Sequence, residues 1–156
     1  MDDLDCEKLL AQLIRLEGRW LAPYYDGAGN LIVVANDRGE RASTDRKSMT
    51  VLESDVRRVA LHLEDIFPVV GRLDAVRQRV LIHMAFNVGV TQLLTLTRFI
   101  SAVQFRNWEA AAKEMLISDW AKHEQRRANV LAEMMRTGRD DLGSVSERGS
   151  SYKPRR

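Results

Sequence analysis

An apolar rhythm of three and four residues runs through most of this chain. It is interrupted between Gly18 and Asn30, where Pro23, two tyrosines and the run Asp26-Gly27-Ala28-Gly29-Asn30 leave no room for a helix. That pattern limits the fold to a helical body carrying one hairpin. Upstream, Leu4, Cys6, Leu9, Leu10, Leu13 and Ile14 predict an amphipathic helix over about residues 3–17, stopped by Gly18, a favourable residue just past a helix end. Downstream, the turn-rich run reads as a loop entering a tight hairpin, with Leu31-Ile32-Val33-Val34 as the returning strand. The polar segment from Asn36 to Ser43 completes a small β-lobe over about 18–44.

The rest is helical. Ser43, Thr44 or Asp45 can cap a long helix over about 45–67, in which Met49, Leu52, Val56, Val59, Leu63 and Ile66 step by three or four until Phe67-Pro68 ends it. Leu73, Val76, Val80, Leu81, Met84 and Ala85 are dense enough for a buried central helix over 73–86. Further helices are expected near 91–104, carrying Leu93, Leu96, Phe99, Ile100 and Val103, and near 108–118, capped by Asn107 and carrying Trp108, Ala111, Ala112, Met115 and Leu116. The class is α+β, mainly α-helical, and 156 residues suit one domain over 1–138.

Residues 139–156 have little to bury and read as a flexible basic tail. Its five basic and three acidic residues give it the whole chain's formal charge of +2, so the body is nominally neutral and no nucleic-acid partner is expected. Met1-Asp2-Asp3-Leu4-Asp5 is acidic and lacks the basic n-region and apolar core of a secretory signal, so none is expected. No run of about 18 apolar residues suggests a membrane span. Cys6 stands alone, which excludes an internal disulfide and fits a reducing cytoplasm.

Two carboxylates flank the interruption: Glu17 on the last turn of the first helix and Asp26 at the edge of the hairpin. One at a helix end and one on a turn suit glycoside hydrolysis, in which one carboxyl protonates the leaving oxygen and the other handles water or the cation. The negative end of the helix dipole favours a neutral Glu17, the form a general acid needs. A solvated helix end and an ordinary turn aspartate are the alternative for the same two residues. His62, His83 and His123 have no Cys, His or acidic partner at ligand spacing, so no metal is expected and His83 reads as a core or edge histidine.

The runs Arg15-Leu16-Glu17-Gly18, Leu21-Ala22-Pro23-Tyr24-Tyr25-Asp26 and Gly29-Asn30-Leu31 together resemble the opening motif of the phage-type lysozymes, the endolysins of glycoside hydrolase family 24. The resemblance continues in Leu73-Asp74-Ala75-Val76-Arg77-Gln78, in Met84-Ala85-Phe86-Asn87-Val88-Gly89, in Ser118-Asp119-Trp120, in Arg126-Arg127-Ala128 and in Arg136-Thr137-Gly138, covering roughly residues 8 to 138. It implies a lysozyme-like fold, with the small β-lobe joined by the long helix to a C-terminal helical lobe over about 70–138. It also implies an N-acetylmuramidase that cuts the β-1,4 MurNAc–GlcNAc link of peptidoglycan, a bacteriolytic glycosidase acting as a phage or prophage endolysin in host cell lysis. The expected partners are glycan strands, with a holin-dependent route or virion proteins besides. No cofactor is expected. The expected location is the host bacterial cytoplasm, with access to the periplasm or cell wall through holin, or else the virion; the chain is expected to be a monomer unless it is a virion component.

In that family the glutamate is the general acid, the aspartate positions or activates water, and a threonine six residues after the aspartate helps hold that water. Glu17 and Asp26 match, but position 32 is Ile, and Ile32-Val33-Val34-Ala35-Asn36 stands where the family's strand continues Thr-Ile-Gly-Tyr-Gly or similar. Val34 and Asn36 replace two glycines, and an isoleucine cannot hydrogen-bond water. Trp120 and Arg127 match the family's tryptophan and the arginine that pairs with the catalytic glutamate. Such a pairing would pull the Glu17 pKa down while burial and the helix end push it up. Trp120 is a core residue or a sugar platform, and Asn87 faces sugar or bonds local backbone. Glu17, Asp26 and Arg127 favour an enzyme; Ile32, Val34 and Asn36 favour a catalytically impaired lysozyme-fold protein that binds glycan or serves in a virion or tail.

Overall fold

The computed structural model describes residues 5–16, 24–25, 31–32 and 46–140, with 24–25, 31–32 and 46–51 described by their backbone. Glu17, Asp26, Val34 and Asn36, most of the stretch 18–44 and the tail beyond Asp140 lie outside the described residues. The chain gathers into two compact units, residues 1–96 and 97–156.

In the first unit α1 (Cys6–Leu16) starts at Asp5, whose Oδ1 accepts the Lys8 N–H at 3.0 Å and so satisfies a donor the helix cannot. Leu9, Leu10 and Leu13 are buried as the periodicity predicts. Ile14, counted on the same face, is 41% exposed. It follows Leu13 by one residue, about 100° further round the helix, and has rotated off the apolar stripe. Gln12 is buried there instead.

The described β-structure is one antiparallel pair, β1 (Tyr24–Tyr25) with β2 (Leu31–Ile32), Tyr24 opposite Ile32 and Tyr25 opposite Leu31. A β-lobe of the expected extent is not seen among the described residues.

α2 (Arg46–Ile66) buries Leu52, Val56, Ala60 and Leu63, and Arg57 pairs with Glu53 one turn back at 2.8 Å. Pro68 ends it and opens a 3-10 turn, Pro68–Arg72. Ile66, expected inside, is 49% exposed, while Phe67 is buried and donates its N–H to the Leu63 carbonyl at 2.7 Å. α3 (Ala75–Val88) is capped by Asp74, whose Oδ1 accepts the Arg77 N–H at 3.0 Å. Every residue from Gln78 to Ala85 is buried, the signature of a central helix with apolar packing all round; α1 and α2 both pack on it. Gly89 closes α3 with a φ of +88°, and nothing stands within 4 Å of where a Cβ would be.

The helix expected over 91–104 is two. α4 (Val90–Leu94) tightens at its end, where the Thr95 and Leu96 N–H groups reach back three residues to Gln92 and Leu93 at 3.1 Å and Thr95 Oγ1 donates to Gln92 O at 2.6 Å. α5 (Thr97–Gln104) then begins the second unit.

There α6 (Trp108–Ile117) packs on α5 and on α8 (Gln125–Thr137), with α7 (Asp119–His123) between α6 and α8 in sequence. Asn107 caps α6 by accepting the Ala110 N–H at 3.1 Å, as expected. Ser118 caps α7 by accepting the Ala121 N–H at 3.3 Å. Phe99, Val103, Ala111, Met115, Leu131, Met134 and Met135 are buried. Leu116, expected in this core, is 44% exposed because it stands about 100° round from the buried Met115. α8 ends on Gly138 in the left-handed region, φ +66°, with its N–H on the Met134 carbonyl at 2.9 Å.

Three surface carboxylates are held below their ordinary pKa: Asp5 by the Lys8 backbone N–H, Asp119 by the Lys122 ammonium, and Glu133 by the Arg136 guanidinium. A carboxyl depressed in the folded state contributes stability that is present above its unfolded pKa and is lost as pH falls through the folded one. The melting temperature is therefore expected to hold down to about pH 5 and to fall below about pH 4, where unperturbed carboxylates titrate. Thermal melts followed by circular dichroism across pH 7 to 2 check this; a melting temperature unchanged at pH 2.5 contradicts it.

Candidate active site

Each candidate residue among those described sits on a helix. Asn87, near the end of α3, is half-buried, and its Nδ2 donates to the His83 carbonyl at 2.9 Å. That is the local backbone bond weighed against sugar contact, and it fixes the amide at the helix end beside the Gly89 bend. Trp120 is on α7, half-buried, and its indole N–H is buried with no hydrogen-bond partner among the described residues. Arg127 is on the first turn of α8, its side chain 12% exposed, with Nη2 3.2 Å from Glu124 Oε2. An i,i+3 pair of this kind holds the guanidinium against its own helix. The pairing of Arg127 with Glu17 falls on a residue outside the described ones, as does Asp26.

Sequence reasoning missed a buried polar chain in the first unit. Gln12, Arg79 and His83 are all inside the core; the Arg79 Nε–H donates to Gln12 Oε1 at 3.3 Å and Gln12 Nε2 lies 3.1 Å from His83 Nδ1. The arginine assigns the amide: Oε1 accepts, so Nε2 is the donating end toward histidine, and Nδ1 must accept. His83 is then neutral with its proton on Nε2. The signal was present in the spacing, since Gln12 is three residues past Leu9 and shares the apolar face of α1. Among the described residues no group of three or more His, Cys, Asp or Glu could hold a metal ion. Burial pushes the Cys6 thiol above its ordinary pKa, which keeps it protonated and inert.

Two of the surface grooves among the described residues are lined by other residues. One, of about 610 Å³, lies in the first unit beside the Gly89 bend, with Arg58, His62 and Phe86 on its walls. The other, of about 830 Å³, runs between α6 and α8 in the second unit, with Leu116, Ile117 and Arg136 among its lining residues.

Residues 15–137 match the phage lysozyme family. The chain belongs to that family. The match begins two residues before Glu17 and takes in Asp26, Asn87, Trp120 and Arg127. A relative from Dictyostelium discoideum, "Probable T4-type lysozyme 1", is 27% identical over 109 residues. That alignment covers 68% of this chain and 64% of the relative, so the chain spans a little under two thirds of the relative's length. As a phage lysozyme family member the chain is mostly helical, and among its described residues no helix is long and apolar enough to cross a membrane.

Proposed function

We propose that this protein is a peptidoglycan hydrolase of the lysozyme type, an N-acetylmuramidase of glycoside hydrolase family 24 that cuts the β-1,4 link between MurNAc and GlcNAc. The observation that carries the reading is the family match over residues 15–137, which spans both carboxylates and Asn87, Trp120 and Arg127 in order. Glu17 protonates the glycosidic oxygen as general acid, and Asp26 directs water to the anomeric carbon. Arg127, which matches the family's arginine, orients Glu17 through a guanidinium–carboxylate pair. Asn87 and Trp120 contact the glycan. In this reading the protein is an endolysin made in the host cytoplasm that reaches the wall through holin.

Position 32 favours a second reading. Ile32 lies in β2 opposite Tyr24, where the family's water-holding threonine is expected, so a lysozyme-fold protein that binds glycan or serves in a virion without turnover is the competing assignment. Purified protein incubated with chloroform-treated Gram-negative walls separates the two. Slow release of fragments with N-acetylmuramic acid at the new reducing ends is expected. Ile32→Thr should raise that rate by about tenfold if the restored hydrogen bond to water is worth about 1 to 1.5 kcal/mol. Wall fragments bound without turnover by both the native chain and Ile32→Thr would sink the enzyme reading.

A further inference from the structure

The large apolar side chains exposed in the first unit are spread over α1 and α2, at Ile14, Leu61 and Ile66. In the second unit they gather about one helix: Phe105 just before α6, and Leu116 and Ile117 on its last turn. Single exposed apolar residues are ordinary on a protein surface, whereas several adjoining ones mark a contact. On α6, Ala111, Ala112 and Met115 are buried, so Glu109, Ala110, Lys113, Leu116 and Ile117 share the opposite face, within about 120° of one another round the helix. Phe105 joins that face, because the groove it lines shares Asn107 and Ala110 with the groove between α6 and α8. A strained turn holds it there. The Arg106 and Asn107 N–H groups reach back to the Val103 and Ala102 carbonyls at 3.0 and 2.8 Å, a helix stop usually made with glycine, and Arg106 takes it at a φ of +56°.

The face matches its own reverse. An apolar group stands at each end, Phe105 at one and Ile117 at the other, and Glu109 and Lys113 lie between them, one turn apart. A second copy laid antiparallel, with the two-fold axis level with residue 111, sets Glu109 of each copy beside Lys113 of the other. The same register brings the Phe105 end of each copy onto Leu116 and Ile117 of the other, and the small Ala110 near the middle lets the two helices approach. Glu109 can serve a second cation, since its side chain is 81% exposed and meets Arg136 at the 4.0 Å limit of an ion pair. A foreign partner would need no such symmetry, and an anionic lipid surface would meet the carboxylates of Glu109, Glu114 and Glu133 along the two grooves.

We propose that this face of α6 is a two-fold contact between copies of the chain, with Phe105 of each packed on Leu116 and Ile117 of the other and two Glu109–Lys113 pairs fixing the register. One ten-residue helix gives a contact at the small end of the range, so the dimer is weak, with a Kd on the order of 10 to 100 µM. The expected monomer is the dilute state. Nothing in the contact depends on Glu17 or Asp26, so it stands apart from the lysozyme reading.

Sedimentation velocity of the full chain from about 2 to 500 µM tests it, and a shift from monomer to dimer that stops at two is expected. Ile117→Glu and Phe105→Ala, both at exposed positions and both checked as folded by circular dichroism, should each weaken the dimer by at least about 10-fold. Glu109→Lys and Lys113→Glu each turn two attractive pairs into two repulsive ones and should each weaken it by about 10-fold. The double variant restores opposite charges in both pairs and should return to within about threefold of native, as should an equimolar mixture of the two single variants. A chain that stays monomeric throughout overturns the proposal; if it then binds phosphatidylglycerol vesicles, the face belongs to lipid. Growth beyond two copies overturns the two-fold arrangement. A dimer indifferent to Ile117→Glu has its contact elsewhere, and one that the double variant does not restore lacks the antiparallel register; either result overturns the proposal.

Discussion

Glu17→Gln is expected to lower wall turnover by about 10²- to 10⁴-fold, the range that general acid catalysis contributes. The leaving sugar oxygen has to receive a proton as its bond to the anomeric carbon breaks. A carboxyl can deliver that proton and recover it from water, whereas a carboxamide of nearly the same shape cannot. Binding should survive the change, because the amide retains a carbonyl acceptor and the volume of the side chain. The expected pattern is therefore a collapse of kcat with KM within a few-fold, which separates a lost acid from a damaged site. Release of soluble muropeptides by matched amounts of native and variant protein measures it. A variant retaining more than a tenth of the native rate would remove Glu17 from the role of acid.

Leu81→Ala is expected to carry the largest stability cost. Leu81 is fully buried in the middle of α3, with buried neighbours on every side. Truncating a leucine there removes its transfer free energy and leaves a void that a helix enclosed all round cannot collapse to fill, for about 2 to 5 kcal/mol. At about 2 to 4 °C per kcal/mol for a chain of this size, the transition that includes residues 1–96 should fall by about 5 to 15 °C. Leu61→Ala is the control: Leu61 is exposed on α2, and its removal should stay within about 0.5 kcal/mol of native. Calorimetry on the two variants decides the matter, and equal shifts would mean that α3 is not the centre of its unit.

Much of the helical order was legible from residue spacing. The end of α2 was given by Pro68, the start of α6 by Asn107, and the burial of α3 by its apolar density. Periodicity failed where it ran smoothly across a break. Leu93, Leu96, Phe99 and Ile100 keep a helical spacing through Thr95 and Leu96, so nothing in the apolar pattern announced that the chain tightens there and starts again. It failed also at the flanks of stripes. Ile14 and Leu116 each follow a buried residue by one position and Ile66 precedes the buried Phe67 by one, and a step of one residue moves about 100° round the helix, so each is turned toward solvent. The candidate site was readable only through the resemblance, since Glu17 and Asp26 taken alone could equally be a helix end and a turn. Gln12 was legible in principle as a polar residue on an apolar face. Its partners were not, because Arg79 and His83 are some seventy residues away and only packing brings them near.

At the corner between α3 and α4 the requirement is one of handedness and not of size. Nothing stands within 4 Å of where a Cβ on residue 89 would be, so a side chain there would start in open space. What forbids it is the backbone itself, which at a φ of +88° takes a path that a left-handed amino acid disfavours at any bulk. Crowding can be relieved by trimming whatever crowds, but chirality offers no such remedy. A side chain gained at this position has to be matched by a new route for the peptide chain from Val88 to Val90, and the two helices that meet there would meet at a different angle.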